Sequence, residues 1–277
     1  MRIGFVGLGA MGRPMAHRLV EAGHTLVVSD PAPGATAGFS ADDDFSAIDL
    51  LILMLPNSAV VEEVLDRLAP TLRTGTIVAD MSSSEPLRTR ALAVRLAERG
   101  LRVVDAPVSG GVRGAVSGTL TVMTGGDEAD LAEIRPVLDV LGKTVLHVGP
   151  VGAGHAAKAL NNLVSATTLS VTVEALRLGA EFGIAPETMN DVLNSSSGRS
   201  NTSENKVAQF MLGGSFDSGF ALRLMAKDVR IAVDLARALG RRTEIADRAA
   251  EQWSRIAAEV DPRTDHTRMY ELLGELQ

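Results

Sequence analysis

Two groupings in this chain combine residue types and spacing that can do chemistry. The first is Gly7-Leu8-Gly9-Ala10-Met11-Gly12, a G-x-G-x-x-G run with an apolar strand pattern before it and an amphipathic helical pattern through Ala22 after it. In that context the first glycine permits a tight turn, the second lets a pyrophosphate approach the backbone, and the third lets the helix pack on the strand. The phosphate then meets free amides at a helix N-terminus. Asp30 ends the next apolar run, near the offset at which an acid accepts hydrogen bonds from ribose hydroxyls, and no Lys or Arg occurs from Ser29 through Asp66 to pair with a 2'-phosphate. The pattern predicts NAD in preference to NADP; the plainer readings are a connecting glycine turn and a solvated acid before Pro31. The second grouping is Lys158, Asn161 and Asn162, at i, i+3 and i+4 of a helical pattern, which can converge on one small ligand. A lone helical Lys is ordinarily a solvated residue, but Ala156, Ala157, Ala159 and Leu160 surround this one.

The elements that must position these groups are legible in the periodicity. From Met1 to about Pro150, short β-rich runs alternate with helix-period segments, the pattern of an α/β domain with a parallel sheet covered by helices. Strands are predicted at Ile3–Val6, Thr25–Ser29, Leu50–Leu55, Thr76–Asp80, Leu101–Asp105, Leu120–Thr124 and Val145–Val148, with helices beginning near Met11, Asn57, Pro86 and Asp127. After Gly149, Pro150, Gly152 and Gly154 the β-type runs stop and helical segments continue to the end. The expected division is a dinucleotide-binding domain over 1–150 and an all-α domain over 151–277, which suits a chain of 277 residues. The first helix of the second part, about His155 to Phe182, has no charge between Lys158 and Glu174, so it is predicted to be buried on most sides, between domains or in a subunit interface. A homodimer or homotetramer would supply that cover.

Composition narrows the classes of function. The longest apolar run, Leu50–Leu55, is far short of the roughly 20 residues of a membrane span. With no secretory leader pattern either, a cytoplasmic location is the expectation. The absence of cysteine excludes thiolate nucleophiles and Cys-ligated metals, so redox chemistry needs a bound cofactor. His17, His24, His147, His155 and His266 show no metal-ligand spacing, and no metal is predicted. A net charge of -7 disfavours nucleic acid and anionic membranes as partners.

Further segments fall in one family's order: Met15 and Gly23-His24 beside the glycine run, Asp105-Ala-Pro-Val-Ser-Gly-Gly111, Gly118-Thr-Leu120, Gly125-Gly126, Gly152 to Asn162, and Lys227-Asp228. Over nearly its whole length the chain resembles the β-hydroxyacid dehydrogenases, the family of 3-hydroxyisobutyrate dehydrogenase and tartronate semialdehyde reductase. The resemblance implies a Rossmann NAD-binding domain followed by a helical domain, and oxidation of the alcohol of a small β-hydroxy acid. It also implies that Leu55, Pro56 and Ser83, the last in place of the family's usual Thr, lie along the nicotinamide, which Lys227 reaches as well. Ser109-Gly110-Gly111 is similar to the family's substrate-carboxylate site, and Asn162 would orient Lys158 and the substrate. Lys158 would then be the general base in oxidation and the acid in reduction, its pKa brought down from about 10.4 by burial and a cationic ring.

Other groups fit plainer roles. Ser195 to Arg199 reads as a polar helix connection rather than a substrate-closing loop. Arg113 and Arg223 are further candidate anion partners, and Asp42 to Asp44 read as a solvated turn. Two alternatives use the same fold: an imine reductase, whose members generally lack the Lys, and a cofactor-binding sensor without catalysis, against which Lys158 and Ser109-Gly110-Gly111 both weigh.

Overall fold

Short apolar runs rich in Val, Ile and Leu form the strands. A computed structural model, which describes residues 1–40 and 44–275, places them as β1 (Arg2–Val6), β2 (Thr25–Ser29), β3 (Leu50–Leu53), β4 (Ile77–Asp80), β5 (Arg102–Asp105), β6 (Val108–Ser109), β7 (Leu120–Gly125) and β8 (Gly142–Gly149). The first five are parallel, in the order β2-β1-β3-β4-β5. Because side chains alternate along a strand, Leu50 and Ile52 of β3 join Ile3, Phe5 and Ile77 in one core, while Leu51 and Leu53 join Val27, Val78 and Val103 in another. Helices on both faces close these cores: α1 (Gly12–Glu21), α2 (Ser58–Leu68), α3 (Pro86–Ala97), α4 (Gly111–Ser117) and α5 (Glu128–Leu141). Their starts are chemically marked: the Asn57 side chain accepts from Val60 N at 3.1 Å, that of Asp127 accepts from Ala129 N at 2.8 Å, and Pro86 opens α3.

Two details depart from the sequence reading. The far side of the sheet is mixed, because β7 runs antiparallel to β5 and β6 and parallel to β8. The intervening segment 110–119 holds only the short α4, less than the dozen or more residues that a parallel crossover needs. And β3 stops at Leu53 instead of Leu55. The Leu55 N–H is taken by Ser82 Oγ at 2.9 Å, and Pro56 has no N–H to offer a neighbouring strand. Of the predicted acidic turn, Asp42 and Asp43 lie outside the described residues, while Asp44 caps a 3-10 turn at Phe45–Ala47.

Helical segments make up the rest: α6 (Ala153–Glu181), α7 (Pro186–Asn194), a π-helix (Ser203–Leu212), α8 (Leu222–Ala238), α9 (Glu244–Glu259) and α10 (Met269–Glu275). Their core gathers Leu169, Val173, Leu176, Val229, Val233 and Trp253, with the Trp253 indole N–H donating to Ser170 Oγ at 3.1 Å. The chain forms two compact units, Met1–Lys158 and Ala159–Gln277, so the division falls inside α6. Within the single chain Leu160, Val164, Val171 and Leu178 of α6 are exposed, as is Phe182 just beyond its end. They recur at intervals of four or seven residues and make one apolar stripe. No helix of the described residues is long and apolar enough to cross a membrane.

Candidate active site

The glycine run sits where the strand order reverses. The chain passes from β1 to β2 on one side and then to β3 on the other, which opens a crevice at the C-terminal ends of β1 and β3. Gly7 adopts φ +99°, and a Cβ there would strike the Met54 carbonyl. A Cβ on Gly12 would strike the Gly7 carbonyl, and its nearest side-chain neighbour would be the Phe5 ring at 3.1 Å, so helix and strand approach as closely as they do only because this position is bare. A Cβ on Gly9, in contrast, would meet nothing within 4 Å. The turn is thus tight at its first and third glycines and open at the second, the shape that a pyrophosphate cradle requires. Asp30 ties the turn to the end of β2: its Oδ2 accepts from Leu8 N at 2.6 Å and its Oδ1 from Ala32 N at 2.8 Å.

The neighbouring strand ends carry the next layer. Of three consecutive serines after β4, Ser82 and Ser84 are buried and Ser83 is partly exposed. Ser82 Oγ accepts from Leu55 N, and Ser84 Oγ donates to Asp80 Oδ2 at 2.7 Å, so the outer two hydroxyls fix the loop that presents Leu55, Pro56 and Ser83. None of Asp80, Ser82 and Ser84 stood out in the sequence. The signal was a pair of acids ending adjacent strands, since Asp80 and Asp105 are register partners.

Asp105 anchors the start of α6. Its Oδ1 accepts from Gly152 N at 2.6 Å and its Oδ2 from His155 N at 2.8 Å, satisfying amides that a helix start leaves without partners. Burial raises the Asp105 pKa, against the opposing pull of His155 and of these N–H groups. The His155 ring, itself buried, pairs through Nδ1 with Thr89 Oγ1 at 2.9 Å, and its Nε2 lies 3.7 Å from Asp80 Oδ2. His155, to which sequence reading assigned no role, is therefore part of the anchorage of the helix carrying Lys158 one turn later. Lys158 is only 8% exposed, so it is not the solvated helical lysine of the plainer reading.

Ser109, Gly110 and Gly111 join β6 to α4. Ser109 pairs with Thr121 across the antiparallel ladder, and Gly110 and Gly111 take φ +127° and +62°. This left-handed stretch presents backbone amides without side chains beside a partly exposed hydroxyl.

In the helical unit, Asn162 is buried and its amide orientation is imposed. Nδ2 donates to Asp228 Oδ2 at 2.6 Å, so Oδ1 is the end left to accept, and Asn161 Nδ2 donates to it at 3.2 Å. Asp228 also pairs with Lys227, Nζ to Oδ1 at 3.3 Å. Asn161 itself is exposed.

Comparison with known proteins agrees with this layout. Residues 2–149 match the family model described as the NAD binding domain of 6-phosphogluconate dehydrogenase, and residues 152–273 match that of the NAD-binding of NADP-dependent 3-hydroxyisobutyrate dehydrogenase. A 2-(hydroxymethyl)glutarate dehydrogenase of Eubacterium barkeri is 42% identical over 84% of this chain and 82% of its own. An NAD-dependent L-serine dehydrogenase of Pseudomonas aeruginosa is 37% identical over 86% of each chain. A solved structure of Mycobacterium tuberculosis 3-hydroxyisobutyrate dehydrogenase with L-serine superposes with a TM-score of 0.91, at 31% identity and 98% coverage of both chains. The chain belongs to the β-hydroxyacid dehydrogenase family, and it is an oxidoreductase that binds a nicotinamide dinucleotide.

Proposed function

We propose that this enzyme catalyses the reversible oxidation of the alcohol of a small β-hydroxy acid of the 3-hydroxyisobutyrate type, with NAD in preference to NADP. The observation that carries the reading is a buried Lys158 one helical turn from an Asn162 whose acceptor end is fixed by Asp228. In this reading the backbone of Gly7, Leu8, Gly9, Ala10, Met11 and Gly12 holds the pyrophosphate and Asp30 holds the ribose. Leu55, Pro56, Ser83 and Lys227 line the nicotinamide, which when bound supplies a hydride acceptor. Ser109, Gly110 and Gly111 hold the substrate carboxylate through a hydroxyl and backbone N–H groups. Lys158 Nζ takes the proton of the substrate hydroxyl in oxidation and returns it in reduction, while Asn162 Oδ1 accepts a hydrogen bond that fixes the geometry.

Steady-state NADH formation tests this with a panel containing 3-hydroxyisobutyrate, L-serine and 2-(hydroxymethyl)glutarate, the last two taken from the relatives' names. One acid is expected to react, and Lys158→Ala to lose about 10²-fold or more in kcat while NADH still binds. A variant as active as the parent would remove Lys158 from the chemistry. The apolar stripe from Leu160 to Phe182 further supports assembly with a second copy of the chain, in which like stripes would cover one another.

A further inference from the structure

The exposed apolar side chains of α6 are arranged symmetrically about one residue. Leu160 and Phe182 lie 11 residues to either side of Val171, and Val164 and Leu178 lie 7 to either side. The Phe182 N–H donates to the Leu178 carbonyl at 3.1 Å, so the helical path runs on through it. At about 100° per residue these offsets keep all five within an arc of roughly 40°, a stripe nearly parallel to the helix axis and about 33 Å long. Thr167 and Ala175, four residues to either side of Val171 and partly exposed, fill the intervals with small side chains that let a second backbone come close.

Such spacing is what a two-fold axis demands, because in an isologous contact the same patch meets itself. When two copies of a helix run antiparallel about an axis through Val171, each residue faces the one equally far on the other side. Leu160 then faces Phe182 of the partner subunit, Val164 faces Leu178 of the partner subunit, and Val171 meets its own copy. The charges agree with this direction. Beyond Lys158, α6 carries Glu174, Arg177 and Glu181, which the antiparallel pairing sets against Thr168, Ser165 and Asn161. A parallel pairing would instead set Glu174 and Glu181 beside their own copies, like charge to like. The stripe also has a receptacle at one end. A groove of about 540 Å³ is lined by Leu163, Val164, Thr167 and Thr168 of α6 and, at the start of α9, by Thr243 and the exposed Ile245. We propose that two copies of the chain pair through α6, antiparallel about a two-fold axis at Val171, with Leu178 of each seated in the groove beside Val164 of the other. This pairing rests on the reading of the stripe as a self-association surface and adds its direction, register and contacts.

Disulfide trapping tests the register, because the chain has no cysteine and a single introduced one has only its own copy to pair with. In helices packed about 9 Å apart, facing Cα atoms lie about 4–5 Å from each other, within disulfide reach. Val171→Cys is therefore expected to run mostly as a linked dimer on a non-reducing gel after mild oxidation. Val164→Cys and Leu178→Cys, each alone, are expected to link about 10-fold less or weaker still, since their copies would stand about 21 Å apart along the axis. The double variant should link as fully as Val171→Cys, position 164 to position 178. Light scattering on the reduced proteins reads assembly separately, and all three substitutions fall at exposed positions. Assembly of the parent's size in which position 171 fails to link overturns the axis at Val171 and leaves self-association standing. Efficient linkage of Val164→Cys alone means a parallel pair and overturns the proposal as well. A parent that scatters as a monomer overturns both the pairing and the self-association reading.

Discussion

Asp30 shows how much one carboxylate decides. Its two oxygens already accept the Leu8 and Ala32 amides, and each retains a lone pair for a ribose hydroxyl, while its charge opposes a 2'-phosphate. Like charges brought together cost several kcal/mol, so the parent is expected to favour NAD over NADP by about 10²-fold in kcat/KM. Asp30→Ser, which keeps an acceptor for Leu8 N without the charge, should lower that ratio by about 10-fold or more. An unaltered ratio would show that cofactor choice is made elsewhere. The chemistry of Asp30 was readable from its offset after the glycine run. That of Asp228 was not, because an acid on a helix carries no mark of the buried Asn it will meet.

At the scale of elements, the start of α6 is the joint on which the site turns. Asp105 is held in place by the end of β5, accepts the amides of Gly152 and His155, and so fixes the helical phase at which Lys158 emerges. Burial raises its folded pKa above the ordinary value of 3.8, so the folded chain holds this proton more tightly than the unfolded chain does. Its contribution to stability is therefore greatest below about pH 3.8 and declines as the pH rises through the raised folded value. Asp105→Asn cannot titrate. Urea unfolding of both proteins across about pH 4 to 7 should show the parent's advantage over the variant shrinking as the pH rises. The variant should be weaker throughout, by about 1–3 kcal/mol, because its amide meets one N–H donor with another. A constant difference across that range would mean that Asp105 is ionised throughout, its burial outweighed by its hydrogen bonds. The strands and helices around this joint were legible as elements, from β1 to α5. The short β6 and α4 were not, since a two-residue strand and about two turns of helix leave too little periodicity to read.

The whole molecule presents one feature that a single chain leaves unresolved. Leu160, Val164, Val171, Leu178 and Phe182 are 48%, 66%, 56%, 72% and 87% exposed, a continuous apolar stripe that water covers poorly. Light scattering on an eluting sample is expected to give a dimer or a higher symmetric oligomer. Leu178→Glu combined with Phe182→Glu should shift it toward monomer at micromolar concentration, by placing charges against the apolar stripe of the other copy. A parent that elutes as a monomer would refute self-association through α6.

The sequence alone determined the class of fold, the glycine cradle and the helical second half, because each is written in local spacing: period two for strands, 3.6 for helices, and glycine wherever a side chain would collide. It also placed Lys158 and Asn162 on one face, since four residues suffice to define a helical turn. Only the tertiary structure decided which acids matter. Asp105 meets His155 from 50 residues away, and Asn162 meets Asp228 from 66. Such pairings follow from how strands register and helices pack, and the residues involved leave no periodic trace along the chain. The same reason makes them sensitive to substitution: a buried donor or acceptor that loses a distant partner finds neither water nor a local replacement.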